Sequence, residues 1–278
     1  MEDICRVTFW GVRGSLPVSG EEFLAFGGRT ACIQIRCGTT DLIFDAGTGI
    51  QKAGDKLIAE GVENYHLFFS HSHYDHILGL PFFQPLYRRS SKVDIWTGHL
   101  HGAMTPREMV EAFISPPWFP QKIEICQARL SFHDFAPGET LKPADGIEIT
   151  TASLNHPGGC VGYRIGFRGR VIALVYDLEH QPGVLDPTAL KLMADADLAV
   201  YDSAYLDDEI EAFKGFGHST WQQGVRLAKA ANAKKIAFFH HMPIRTDQAL
   251  TTIEKKAMNV FDGSFVARDD MMIDVSAE

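Results

Sequence analysis

The segment Ser-His-Ser-His-Tyr-Asp-His, residues 70–76, constrains this chain more than any other stretch. It follows the apolar run Tyr65–Phe69, which has the length and composition of a buried strand. Neutral imidazoles and carboxylates are the ligands that zinc, manganese and iron take from proteins. A core built for stability alone has no use for such a cluster, because each buried polar group needs a partner. The segment therefore predicts a metal site at the end of a strand.

The spacing within this segment predicts ligands to two metal ions. Residues two apart in an extended chain point the same way, so His71 and His73 can face one ion. Asp75 and His76 begin a turn and can reach a second ion. A two-metal site needs more ligands than this segment supplies, so the later strand ends must be searched.

Later strand ends carry further candidate ligands. His156 follows the predicted strand 148–154, and Asp177 ends the apolar run 171–176, where a carboxylate can bridge two cations. The doublet His240-His241 follows the predicted strand 235–239, and the spacing does not choose between its members. Glu179 and His180 come shortly after Asp177 and are candidates for supporting a ligand or contacting a substrate.

Two glycine-containing segments supply weaker candidates. Arg13 lies in the tight segment 11–15, which is either an ordinary turn or a loop that faces a phosphate. Asp45 ends a predicted strand, where its carboxylate could cap the next helix or orient a metal-binding histidine. The aromatic and proline-rich segment 116–120 is typical of a lid, a pocket wall or a subunit contact, and the sequence leaves these open.

Composition restricts the class of protein. A chain of 278 residues with 45% hydrophobic residues can bury a large core without disulfides, and we expect one domain over residues 1–278. The five cysteines are odd in number and lack CxxC spacing, which predicts free thiols in a reducing compartment. The N-terminus has no signal-peptide pattern, and no apolar run approaches the roughly 20 residues of a membrane span, so we expect a cytoplasmic protein without membrane contact. The net charge of −9 argues against a general nucleic-acid binder.

The order of predicted elements indicates an α+β fold. Strands occur in two blocks, and each block is interleaved with helices, which predicts two β-sheets packed together with helices outside. The predicted helices lie at about 50–60, 106–113, 187–193, 220–231 and 248–260.

The motif His71-x-His73-x-Asp75-His76, followed by His156, Asp177 and His240, resembles the metallo-β-lactamase superfamily over nearly the whole chain. This resemblance implies a four-layer αββα sandwich with two mixed sheets. It also implies two divalent metal ions, for which zinc comes first and manganese and iron are alternatives. By this resemblance one ion takes His71, His73 and His156, the other takes Asp75, His76 and His240, and Asp177 bridges them. His241 stays an alternative to His240.

A second segment narrows the branch of the family. Ser219 and Gln222 have capping-box spacing, which predicts that a helix starts at Ser219 and that His218 lies just outside its N-terminus. Free N–H groups and the helix dipole favour an anion there. The segment Gly217–Thr220 resembles one in ribonuclease Z and related phosphodiesterases, which implies that His218 contacts or protonates the leaving group, with Asp202 as its partner. Asp75, His218 and Asp202 are thus the predicted catalytic residues.

These features predict a binuclear metal-dependent hydrolase, namely a phosphodiesterase in which water activated by the metal pair attacks phosphorus. The family resemblance suggests a homodimer. We expect a small phosphodiester substrate such as a cyclic nucleotide and little extended nucleic-acid binding. The reasons are that no long arm of the kind that grips tRNA is present and that the segments 11–15 and 26–28 resemble bacterial small-substrate members. The alternatives are an RNA-processing nuclease, a glyoxalase II-like thioester hydrolase and a non-hydrolytic di-iron redox or sensor protein.

Overall fold

The computed structural model describes residues 4–276, which form two seven-stranded β-sheets. The strands of the first sheet are β1 (Cys5–Gly11), β2 (Cys32–Cys37), β3 (Thr40–Phe44), β4 (Asn64–Phe69), β5 (Lys92–Thr97), β6 (Arg129–Asp134) and β14 (Met272–Asp274). The strands of the second sheet are β7 (Thr140–Leu141), β8 (Ile147–Leu154), β9 (Cys160–Phe167), β10 (Arg170–Val175), β11 (Leu198–Asp202), β12 (Ile236–Phe239) and β13 (Ser264–Val266). The strand order is β14-β1-β2-β3-β4-β5-β6 in the first sheet and β13-β12-β11-β10-β9-β8-β7 in the second. Both sheets mix parallel and antiparallel pairs.

The two sheets pack face to face across an apolar core. Alternate residues of the strands point inward, so Phe44 and Phe68 of the first sheet meet Tyr163 of the second, with ring centroids 5.1 and 6.0 Å from that of Tyr163. All three side chains are fully buried. The Tyr163 hydroxyl satisfies its hydrogen-bonding need by donating to the Phe69 carbonyl at the end of β4. This contact fixes the second sheet against the strand that leads into the histidine-rich segment.

Helices cover the outer face of each sheet. The helices are α1 (Ile50–Ala59), α2 (Tyr74–Ile77), α3 (Pro106–Phe113), α4 (Pro187–Met193), α5 (Trp221–Ala230) and α6 (Asp247–Met258). The apolar sides of α1 to α3 pack on the first sheet and those of α4 to α6 on the second, each in its own buried cluster. The layers therefore run helix, sheet, sheet, helix, which confirms the predicted αββα sandwich.

The start of α5 differs from the prediction by one residue. The N-cap is Thr220, whose side chain accepts a hydrogen bond from the Gln223 N–H. Ser219 does not cap the helix, because its hydroxyl is bonded to the Tyr201 hydroxyl and to His180 Nδ1, each at 2.8 Å. Tertiary contacts with residues distant in sequence thus decide which of two adjacent hydroxyl residues becomes the cap.

Within residues 4–276, no helix has both the length and the apolar composition needed to cross a membrane.

Candidate metal centre

The predicted metal ligands meet at one edge of the sandwich because their strands end there. In the first sheet β3 and β4 are parallel, and in the second β10, β11 and β12 are parallel, so their carboxyl ends lie on common edges. Strand β8 is antiparallel to β9, and β9 is antiparallel to β10, so β8 runs in the same direction as β10. The segments that follow these strands face one another across the cleft between the sheets.

Three histidines form the first group of donors. The ring nitrogens of His71, His73 and His156 lie within 4.8 Å of one another. His156 Nε2 is 3.0 Å from His73 Nδ1, and His71 Nε2 is 3.6 Å from Asp177 Oδ2. Burial lowers the pKa of each of these histidines, so their rings are neutral at neutral pH, as metal binding requires.

The second group combines Asp75, His76 and His240. Asp75 Oδ2 is 3.0 Å from His240 Nε2 and 3.2 Å from His76 Nε2, and the two imidazole nitrogens are 3.3 Å apart. Asp177 Oδ2 lies 3.4 Å from each of these two nitrogens, so this carboxylate oxygen stands between the two groups.

These separations fit divalent metal ions. Zinc–nitrogen distances of about 2.0–2.1 Å place neighbouring donors of a tetrahedron roughly 3.4 Å apart, and the observed spacings lie near that value. Two polar atoms of the cluster residues, His71 Nε2 and Asp177 Oδ1, are buried and have no hydrogen-bond partner among the described residues. A buried polar atom without a partner is costly, so both atoms point to an ion that completes their coordination.

Hydrogen bonds behind the ligands fix their orientation. Asp45 is fully buried and its Oδ2 accepts a hydrogen bond of 2.8 Å from His76 Nδ1, which leaves Nε2 of that ring free to ligate. The carboxylate of Asp45 also accepts from the Ser70 N–H and hydroxyl, at 2.7 and 2.8 Å. His156 Nδ1 donates to the Gly217 carbonyl at 2.8 Å, and the Ser15 N–H donates to Asp75 Oδ2 at 2.7 Å.

His218 and Asp202 form a hydrogen-bonded pair beside this cluster. His218 Nδ1 is 2.9 Å from Asp202 Oδ2, and Asp202 is fully buried at the end of β11. Burial alone would lower the pKa of His218, but the carboxylates of Asp202, Asp177 and Asp75 outweigh it and raise the pKa to about 9. The ring also lines a cavity of about 440 Å³ whose walls include Ser15, Ser72, His73 and Asp75. The arrangement places the His218 imidazole, held by Asp202, at the wall of the cavity that the predicted metal ligands line.

The remaining candidates lie around the cluster in different settings. Arg13 has no exposed surface, because its guanidinium donates to the carbonyls of Gly27 and Arg245, both at 2.7 Å. It therefore braces the loop of residues 12–14 and lies out of reach of a ligand in the cavity. His241 bonds through Nε2 to the Ala267 carbonyl at 2.9 Å, so of the doublet it is His240 that reaches the cluster.

Glu179 and His180 support the segment that carries His218. Glu179 Oε2 accepts hydrogen bonds of 2.8 Å from the N–H groups of Gly215 and Gly217. His180 contacts Ser219, the residue after His218, as described above. Sequence reasoning did not single out Ser15, Ser70 or the Gly217 carbonyl as parts of the site. Their adjacency to candidate residues was the one signal in the sequence, since their contacts depend on chain segments far apart.

A family model described as "Beta-lactamase superfamily domain" matches residues 40–242. The chain belongs to the beta-lactamase superfamily. A relative named ribonuclease Z, from Haloferax volcanii, is 25% identical over 97% of this chain and 95% of its own length. The superfamily and the ribonuclease Z-like branch, both predicted from the motifs, are confirmed.

Solved structures show the same fold. The metallo-β-lactamase fold protein YhfI from Bacillus subtilis has a TM-score of 0.75 and 19% identity, covering 98% of this chain and 100% of that one. The short form of human tRNase Z has a TM-score of 0.66 and 20% identity, covering 97% of this chain and 99% of that one.

One prediction is wrong in the light of these relatives. We expected a small phosphodiester substrate and little extended nucleic-acid binding, whereas the curated relative is named ribonuclease Z and the human structure is a tRNase Z. The expectation relied on the net charge of −9, on the lack of a long arm and on the segments 11–15 and 26–28. Net charge describes the whole surface, whereas a phosphate bound at a metal cluster responds to the local field.

Proposed function

We propose that this protein is a phosphodiesterase that hydrolyses RNA with two divalent metal ions, for which zinc is the first candidate. His71, His73 and His156 would hold one ion, and Asp75, His76 and His240 the other, with Asp177 between them. Metal ions bound there would polarise a phosphate oxygen and lower the pKa of a water molecule to about 7.

The observation that carries the proposal is the His218–Asp202 pair at the wall of the metal-ligand cavity. Asp202 accepts from Nδ1, which fixes the ring and leaves Nε2 available for a substrate. The hydrogen bond to Asp202 and its negative charge raise the pKa of His218, which favours the protonated imidazole that a general acid needs. When water attacks phosphorus and the bond to the leaving oxygen breaks, that oxygen needs a proton, and His218 can donate it from Nε2. A thioester hydrolase would not need such a donor, since a thiolate leaves readily without one.

Two further features support RNA as the substrate. The cavity of about 440 Å³ admits a single phosphodiester with its immediate neighbours, which suits an unpaired strand or end better than a duplex. The likeness to the ribonuclease Z from Haloferax volcanii covers 97% of this chain, so it is not confined to the metal ligands.

The test is cleavage of a transfer-RNA transcript extended at its 3′ end, with metal analysis of the same sample. We expect about two metal ions per chain and specific cleavage, both lost in Asp177→Ala. His218→Gln should keep its metal and lose about 10²–10⁴-fold in kcat, the usual contribution of a general acid.

A matched control is available on the far strand of the first sheet. His133 forms a hydrogen bond of 2.9 Å with Asp94, as His218 does with Asp202, but this pair lies on β6 and β5. His133→Gln should therefore leave cleavage unchanged. Metal-loaded protein that cleaves no RNA, or a His218→Gln variant as active as His133→Gln, would contradict the proposal.

A further inference from the structure

An apolar groove lies next to the metal-ligand cavity and has no part in the function proposed so far. It has a volume of about 560 Å³ and is bounded by α2, α3 and the aromatic segment near residue 118. We call it the aromatic groove and define it by Tyr74, Leu78, Phe82, Met104, Trp118 and Phe119. Trp118 and Tyr74 are 78% and 74% exposed, which is unusual for large rings and marks a binding surface.

The groove adjoins the metal-ligand cavity. Ser72 and Tyr74 line both spaces, and Tyr74 lies in the chain between the ligands His73 and Asp75. A phosphate held at the metal cluster would therefore place the adjoining nucleotide at the mouth of the groove. Ser72, the polar residue at this junction, has its hydroxyl 3.1 Å from His99 Nε2.

The chemistry of the lining selects a flat, uncharged group. Among the described residues that line the groove, none carries a charge, so it offers no partner for a phosphate. The rings of Phe82 and Phe119 pack edge to face, with centroids 6.4 Å apart and planes at 89°, so that their faces point in different directions. Unpaired nucleobases are recognised by stacking on such aromatic rings.

We propose that the aromatic groove binds an unpaired nucleobase of the nucleotide next to the scissile phosphate. This inference rests on the proposed RNA hydrolysis and specifies how the substrate is held there. It also assigns the segment 116–120 to the pocket wall, one of the three roles that the sequence left open.

The test combines protein variants with abasic substrates. Extended transfer-RNA transcripts are prepared with a base, or without one, at each nucleotide flanking the cleavage site. Trp118→Ala and Phe82→Ala should raise KM for the base-bearing transcript by about 5- to 150-fold, the range for loss of one stacked base. On the transcript that lacks the stacked base, these variants should differ little from the unaltered protein, because the interaction is already absent.

The control is Met272→Ala. Met272 is 62% exposed on β14, at the edge of the first sheet opposite to the one that α3 covers, and this variant should not alter KM for either transcript. If the groove variants raise KM equally for base-bearing and abasic transcripts at both positions, the nucleobase proposal is wrong. Conversion of a dimer to a monomer by Trp118→Ala, measured by light scattering, would assign the groove to a second copy and also overturn it.

A binding measurement separates this inference from the proposed function. Adenosine should quench the fluorescence of Trp118, seen as the difference between the unaltered protein and Trp118→Ala, whereas ribose should not. Quenching by adenosine without RNA cleavage would refute the proposed function and keep the groove as a nucleobase site. RNA cleavage at a rate that does not depend on the flanking bases would support the proposed function and refute the nucleobase site.

Discussion

Asp45→Asn tests whether hydrogen bonds behind the ligands set the metal affinity. The Asp45 carboxylate accepts three hydrogen bonds, from the Ser70 N–H, from the Ser70 hydroxyl and from His76 Nδ1. All three partners are donors. An asparagine has one acceptor oxygen and one NH₂ group. If the oxygen keeps the Ser70 N–H, the NH₂ group faces His76 Nδ1. That ring must then carry its proton on Nε2, the atom that points to the cluster.

The expected loss of metal affinity is about 10- to 100-fold, the usual effect of removing such a partner, or about 1.4–2.8 kcal/mol. It is measured by competition with a chromophoric chelator. Asp41→Asn is the matched control, because Asp41 lies on the same strand β3, is buried, and accepts from Gln34 and Arg36 far from the cluster. Asp41→Asn should lower the free energy of unfolding but leave metal affinity unchanged. Equal metal affinities in the two variants would refute the reasoning.

Three further outcomes are expected. Gly217→Ala should lose metal, since a Cβ there would lie 2.2 Å from His156 Nδ1. Gly215 is the control, because its φ of +89° is similar to the +86° of Gly217 but a Cβ there would have no neighbour within 4 Å. Elemental analysis should therefore show that Gly215→Ala keeps its metal. Saturation with metal at about a thousand times its Kd should stabilise the protein by about 4 kcal/mol, so a chelator should lower the Tm measured by circular dichroism. Burial and the nearby charges of His73 and His76 lower the pKa of His99 from 6.5 to about 4. Between pH 6.5 and pH 4, therefore, the His99 ring takes up a proton in the unfolded chain but not in the folded one. The free energy of unfolding should be highest above pH 6.5 and should fall, by at most about 3 kcal/mol, as the pH is lowered to 4. In urea titrations of chelated protein, His99→Gln should flatten that fall, and an unchanged slope would contradict the assignment.

Local sequence patterns predict most of the fold because the helices and strands carry their capping residues and apolar runs within their own segments. The predicted helices 106–113 and 187–193 coincide with α3 and α4, each of which begins at a proline after a capping residue. The strands before the metal ligands are short apolar runs, and their ends mark where polar side chains emerge. An apolar strand followed by histidine or aspartate is therefore a local signal for a residue of the site.

Contacts between distant segments lie beyond such patterns. The Ser15 N–H reaches Asp75 across 60 positions of the chain, and His156 Nδ1 reaches the Gly217 carbonyl across 61. The substrate is harder still to predict, since charge and length describe the whole chain, whereas the proposed nucleobase site comprises a few side chains around Tyr74 and Trp118. For the same reason the segment 116–120 could not be assigned before its neighbours in space were known.

The backbone at the strand ends explains the residue types at three positions of the site, two of which are predicted metal ligands. Asp45, Asp177 and His240 all have left-handed φ angles, of 62°, 57° and 62°. Each comes at or just after the end of β3, β10 or β12, where the chain must turn from a buried strand into the cleft. A left-handed residue with a side chain costs about 1–2 kcal/mol, and aspartate and histidine are among those that adopt it most readily. Glycine would avoid this cost but would supply no donor atom, and a β-branched residue would raise it. The strain is held by the packed strands before each turn, and metal binding at Asp177 and His240 would offset it there. The same three positions thus satisfy a backbone requirement and a chemical one, which is why polar residues directly after apolar strands lead to the centre of the site.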